Sequence, residues 1–159
     1  MKKIVLVLVL AAMILAPVAA KGTTGASTTT YGIGLNLGTP SGLAFQYKVS
    51  KEFDLIANLD YGFYGNWVGG GVGVNFKVAD FDWTDGSWFL TVGAMGDIGV
   101  TLGDNNGFYL SAVAPVRLNY QFPKAPWSFY VSVAPGVAIF PNLGFAIDGG
   151  IGAMYLFDK

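Results

Sequence analysis

Residues 66–76 read Asn66-Trp67-Val68-Gly69-Gly70-Gly71-Val72-Gly73-Val74-Asn75-Phe76. Four glycines in five residues fit a loop whose backbone N–H groups close around a phosphate. They equally fit a wall that must carry few side chains. The flanking residues decide. Val68, Gly70, Val72, Val74 and Phe76 share one face of a period-two pattern, with Trp67, Gly69, Gly71, Gly73 and Asn75 on the other. That alternation marks a strand. A phosphate loop needs a helix after it, whereas here the alternation runs on to Val78 and the acidic turn ADFDWTDG (79–86) follows. The glycines form a bare stripe along one face of a strand.

Working outward, the same alternation fills the chain from residue 31 to residue 157. Runs that begin at Tyr31, Leu43, Phe53, Trp67, Trp88, Phe108, Trp127 and Phe145 are separated by short polar or Gly/Pro-containing links. These eight runs predict eight strands. Several exceed nine residues, and the short links favour an antiparallel up-and-down meander. The expected fold is all-β, an eight-stranded antiparallel up-and-down transmembrane β-barrel over 31–157.

The first twenty residues stand apart. Lys2 and Lys3 precede the apolar run Ile4–Ala16, and Val18-Ala19-Ala20 supplies small residues ahead of Lys21. This is the layout of a cleaved signal peptide (1–20), too short in its apolar part for a spanning helix. Residues 21–30, KGTTGASTTT, read as a flexible polar leader.

With 1–20 set aside, seven bases against ten acids leave a formal charge of −3, and Arg117 is the one arginine. Nucleic acid is an improbable partner, because phosphate binding needs a basic surface. Absent cysteine excludes disulfides and thiolate metal sites. Charged residues make up 12% of the chain, aromatics 15%, and the mean hydropathy is +0.50. Hydrophobic overall without a later spanning helix is the compositional shape of a membrane barrel.

The two faces of the runs differ in kind. One is aliphatic and aromatic and carries no charge. The other holds Gly, Ser, Asn, Gln and seven charged residues: Lys48, Asp54, Asp60, Lys77, Asp97, Arg117 and Asp148. A soluble barrel would turn the polar face outward. Two features argue for inversion. The polar face is rich in glycine, which suits a crowded interior, and the apolar face holds too many aromatics to fit inside eight strands. Aromatics also gather at strand ends (Tyr31, Tyr47, Phe53, Phe76, Trp88, Phe122, Trp127, Tyr155 and Phe157), as in a membrane-interface girdle. A soluble lipocalin-like carrier with an apolar pocket is the rival reading.

The chemistry-bearing residues point away from an enzyme. The chain has no histidine, the usual base near neutral pH. The seven inward charges nearly cancel and are expected to pair as a lumen charge network. Asp80, Asp82 and Asp85 lack the distal Glu of an EF-hand and read as a solvated turn. Neither a cofactor nor a metal is expected. Pro115 and Pro135 fall at similar height on adjacent runs and cannot donate to a ladder, which predicts a local bulge or gap there.

The first hairpin, GIGLNLGTPSGLAFQYKV, and the closing GGIGAMYLF carry a resemblance: the mature chain resembles the small eight-stranded outer-membrane barrels of the OmpA-transmembrane, OmpX and OmpW kind. The resemblance implies location in a bacterial outer membrane, contact with its lipid, and delivery by the barrel-assembly machinery. In that group a C-terminal aromatic alternation is the assembly signal; Tyr155 and Phe157 match in phase, although Asp158 and Lys159 follow. Barrel enzymes of this shape use a histidine that this chain lacks. The short links on the rim away from the termini leave no room for large displayed loops. The expected role is structural, or a porin-like limited passage or binding of small molecules through a narrow polar lumen.

Overall fold

The computed structural model describes residues 30–62, 66–102 and 107–158. The expected signal peptide and all of the leader except Thr30 lie outside the described residues. Among the described residues there are nine strands: β1 (Thr30–Thr39), β2 (Ser41–Lys48), β3 (Phe53–Gly62), β4 (Trp67–Phe81), β5 (Ser87–Thr101), β6 (Phe108–Val113), β7 (Val116–Gln121), β8 (Trp127–Phe140) and β9 (Gly144–Asp158). All neighbours pair antiparallel.

Hydrogen bonding closes the sheet into a ring. β1 to β5 follow in sequence, β6 and β7 together bridge β5 to β8, and β9 returns to β1. The alternation predicts eight strands and the structure has nine because the sixth run is divided at Ala114-Pro115. Pro115 has no N–H and cannot complete its ladder. The expected gap at the prolines is therefore a break, but not a bulge. Register is the same on both sides, with Val113 opposite Gly136 and Val116 opposite Val133. The ring keeps eight positions.

Register also carries a steady slant. Starting at Tyr155, the pairings lead through Ile33, Phe45, Ala57, Val72, Gly96, Ala112 and Val137 to Phe145. One circuit thus returns to β9 ten residues from its start.

β4 continues past Val78 to Phe81, so the acidic turn is shorter than the sequence suggests. A register shift between Lys77 and Ala79 makes Val78 a bulge. Residues three apart normally face opposite sides of a strand, but the extra residue puts Lys77 and Asp80 on the same side, where they form an ion pair.

The faces are inverted relative to a water-soluble sheet. Val72 is 71% exposed and Leu37 61%, whereas Asp60 is 4% exposed and Asp97 6%. Asn75, Thr91, Ser111 and Asn119 are also buried. Two small apolar clusters share the inner side: Ile56, Met95, Val113 and Ala134 form one, and Ala44, Tyr130 and Met154 the other. The inner glycines make room for them. A Cβ on Gly73 would come within 2.8 Å of Met95, and the Tyr130 ring lies where a side chain on Gly152 would go.

Candidate functional site: the charged interior

All seven charged residues singled out in the sequence lie on the inner face. Lys48 stands opposite Asp54 in the β2–β3 register. Asp54 is buried, and its Oδ2 accepts a hydrogen bond from Gln46 Nε2 at 2.8 Å. Asp60 on β3 and Asp97 on β5 are flanked by the glycine stripe of β4, since Gly69 pairs Asp60 and Gly71 pairs Asp97. Asp148 lies opposite Ala134.

The structure does not join the seven by direct ion pairs. Among the described residues the one ion pair is Lys77–Asp80, and Asp80 is outside the expected set. Lys77 also sits 5.2 Å from the centroid of the Phe89 ring. Arg117 stacks over Tyr130, with its Cζ 4.7 Å from the ring centroid. Tyr130 Oη in turn donates to Asn36 Oδ1 at 3.3 Å. The expected direct pairing thus gives way to a looser arrangement. Lys48 and Asp54 are register partners without a direct ion pair, and the other inward charges meet whatever their register neighbours provide.

A cavity of about 50 Å³ lies at the centre, lined by Asn36, Asn58, Asp97, Arg117, Tyr130 and Asp148, with Pro115 and Ala134 in its wall. Among the described residues, six buried polar atoms around the interior have no hydrogen-bond partner: Asp54 Oδ1, Asn58 Oδ1, Asp60 Oδ1, Asn75 Oδ1, Asp97 Oδ2 and Arg117 Nε. Buried groups of this kind are normally met by water or ions. Chemically, the interior can hold water and a few small polar atoms. A volume this small sits far below the roughly 300–1,000 Å³ of a typical organic-ligand pocket.

Residues that the sequence did not single out complete the interior. Asn119 Nδ2 approaches Thr91 Oγ1 at 3.2 Å, Arg117 O at 3.1 Å and Phe89 O at 3.3 Å. Asn119 and Thr91 belong to one face by alternation, but only the β5–β7 register shows them to be neighbours. Among the described residues, no three His, Cys, Asp or Glu side chains are placed to hold a metal ion.

The outer face carries an aromatic belt along the rim that holds Thr30 and Asp158. Ring centroids lie 5.0 Å apart for Tyr31–Tyr47, 5.1 Å for Phe53–Phe76, 4.7 Å for Trp88–Tyr120, 5.3 Å for Trp127–Tyr155 and 4.7 Å for Tyr155–Phe157. Most of these partners meet across neighbouring strands. Tyr120, Phe129 and Trp83 extend the belt beyond the residues named from the sequence, with Tyr120–Phe122 at 4.8 Å, Phe122–Phe129 at 5.6 Å and Trp83–Trp88 at 5.5 Å.

Comparison with known proteins finds no family model, no curated protein and no solved structure that matches this chain.

Proposed function

We propose that this chain is a transmembrane β-barrel of a bacterial outer membrane, with a structural role or a narrow polar lumen that passes or binds small polar species. The observation that carries the reading is the inversion of the faces. Leu35, Leu37, Val72, Phe145 and Ile147 face outward while Asp54, Asp60 and Asp97 are buried. Such an outer face is costly against water and suited to hydrocarbon. Among the described residues the interior cavity is small and lined by Asp97, Arg117 and Asp148, unlike the apolar pocket a soluble carrier needs.

Geometry supports the same reading. Ten residues of slant over eight ring positions, at ~3.3 Å per residue and ~4.8 Å between strands, correspond to a strand tilt of about 40°, within the roughly 35–45° of closed barrels. β4, β5 and β9 have 15 residues each, above the ~9–11 that a tilted strand needs to cross. The aromatic belt falls where amphipathic rings favour the headgroup level. Tyr155 and Phe157, on the last strand, are the residues that would serve as the C-terminal assembly signal.

Refolding into phosphatidylcholine vesicles followed by flotation tests the proposal. The folded chain is expected to float with the lipid and to resist carbonate extraction. A folded protein that remains in buffer without detergent would end the membrane reading. Single-channel recording then separates functions: steps mean passage, and their absence means a closed interior blocked by Arg117 and Tyr130.

A further inference from the structure

The inward charges are sorted by height. Asp60 pairs with Gly69 and through it with Gly99 on β5, two residues beyond Asp97. Asp97 leads through Ser111 and Ala138 to Gly144 on β9, four residues before Asp148. The slant lifts each step around the ring by about 1.25 residues, away from the rim that holds Thr30 and Asp158. Two steps lift by about 2.5 residues and three by about 3.75, which offsets the two and four residues along β5 and β9. Asp60, Asp97 and Asp148 therefore stand at one level, spread around the ring on β3, β5 and β9. The bases lie lower. Lys48 ends β2, and Lys77 and Arg117 both pair with Thr91, six residues below Asp97. Of these bases only Arg117 lines the central cavity, with its guanidinium over Tyr130.

Asp60 and Asp97 are 4% and 6% exposed, and among the described residues Asp60 Oδ1 and Asp97 Oδ2 have no hydrogen-bond partner. Asn58 Oδ1 has none either, and it converges with Asp97 Oδ1 on the space beside Gly71. Asn58, Asp97 and Asp148 line the cavity of about 50 Å³, which has room for a small ion and a few waters.

We propose that this level binds one divalent cation, held by Asp97, Asp148 and Asn58 through part of its own water shell, with Asp60 adding charge; the proposal rests on the polar-lumen reading above. Among the described residues no three acids are placed to ligate one ion directly, and an ion such as Mg²⁺ dehydrates reluctantly and keeps several waters. Buried carboxylates without a counter-charge are costly. Three carboxylates against the one guanidinium of Arg117 leave two negative charges, which a divalent ion balances and a monovalent ion does not. With a chelator present the carboxylates lack that counter-ion, and removing one then relieves the fold. Trp67 and Tyr109 stand between this level and the nearer rim, their ring centroids 4.8 Å apart, in the space beside Gly62 and Gly99. Trp67 is thus a reporter beside the site.

The full chain, refolded into phosphatidylcholine vesicles and recovered by flotation, is dialysed to equilibrium against Mn²⁺, with empty vesicles as the blank. One Mn²⁺ per chain is expected, displaced by Mg²⁺. Asp97→Asn and Asp148→Asn are each expected to weaken binding at least tenfold. Asp82→Asn removes an exposed acid from the β4–β5 turn at the opposite rim and is expected to leave binding unchanged. No bound Mn²⁺ at millimolar concentration overturns the site. Full binding by Asp97→Asn or Asp148→Asn also overturns it, as does an equal loss in Asp82→Asn. If the two lumen variants fail to fold, fluorescence decides with every acid in place. In single-tryptophan variants Mn²⁺ is expected to quench Trp67 over the concentrations that saturate dialysis and to leave Trp127 unchanged, and equal quenching overturns the site. A folded chain that does not float overturns the membrane reading instead, and the same dialysis then reads the site in buffer.

Discussion

Asp97 lies directly opposite Gly71 in the β4–β5 register, and its carboxylate occupies the space that a side chain at position 71 would need. Asn58 Oδ1 approaches the same point from β3, 2.6 Å from where a Cβ would stand. The glycine is a consequence of what its neighbours carry.

Gly71→Leu is accordingly expected to prevent folding, since overpacking a closed interior costs about 1–3 kcal/mol or more and here also displaces a buried carboxylate. Gly96, on the outer face of β5, has nothing within 4 Å of an added Cβ. Gly96→Ala is expected to change stability by no more than ~0.5 kcal/mol. Heat-modifiability on gels after refolding separates the two. Normal folding of Gly71→Leu would mean the interior is roomier than described.

Asp97 and Asp54 should respond oppositely to loss of charge. Among the described residues Asp97 Oδ2 is buried without a partner, so Asp97→Asn is expected to raise the urea midpoint and to stabilise the fold by roughly 1–2 kcal/mol of relieved desolvation. Asp54 Oδ1 is likewise without a partner among the described residues, but its Oδ2 accepts from Gln46 and its carboxylate faces Lys48. Asp54→Asn is expected to lower the midpoint and to cost about 1 kcal/mol of stability, from a charge-assisted hydrogen bond weakened to a neutral one. Equal shifts of the same sign would contradict the asymmetry.

Tyr130 contributes a ring to Arg117 and a hydroxyl to Asn36. Tyr130→Phe keeps the first and is expected to cost about 0.5–1.5 kcal/mol. Tyr130→Leu removes both and should cost at least ~1 kcal/mol more, because the buried guanidinium loses its π face. Equilibrium urea unfolding in vesicles measures the difference, and equal costs would remove the stacking from the account.

Trp127 is exposed in the outer belt, whereas Trp67 faces inward and packs against Tyr109 with centroids 4.8 Å apart. In single-tryptophan variants carrying Phe at the other three positions, lipids brominated near the headgroup are expected to quench Trp127 strongly. Trp67 should be quenched little by bromine at any depth. Similar quenching of both would place the faces differently.

Much of this was legible in the residues themselves. A side-chain period of two sorts each strand into faces without any knowledge of its neighbours, so Leu35 and Leu37 could be assigned opposite to Gly34 and Asn36 from local order alone. The contrast between an uncharged aromatic face and a glycine-rich charged one then argued for inversion, and the burial of Asp60 and Asp97 agrees. The proline positions likewise announced a break, because a missing N–H is a property of the residue.

What tertiary structure decided is everything that depends on register. Pairing between strands is set by non-local hydrogen bonds and packing, and a shift of two residues keeps every face while changing every neighbour. That is why Lys77 pairs with Asp80 across a bulge, and why Arg117 rests on Tyr130. It is also why NWVGGGVGVNF carries its stripe of glycine: the strand's own sequence supplies the bare wall, but Asn58, Met95 and Asp97, brought alongside only by the closed sheet, are what fill it.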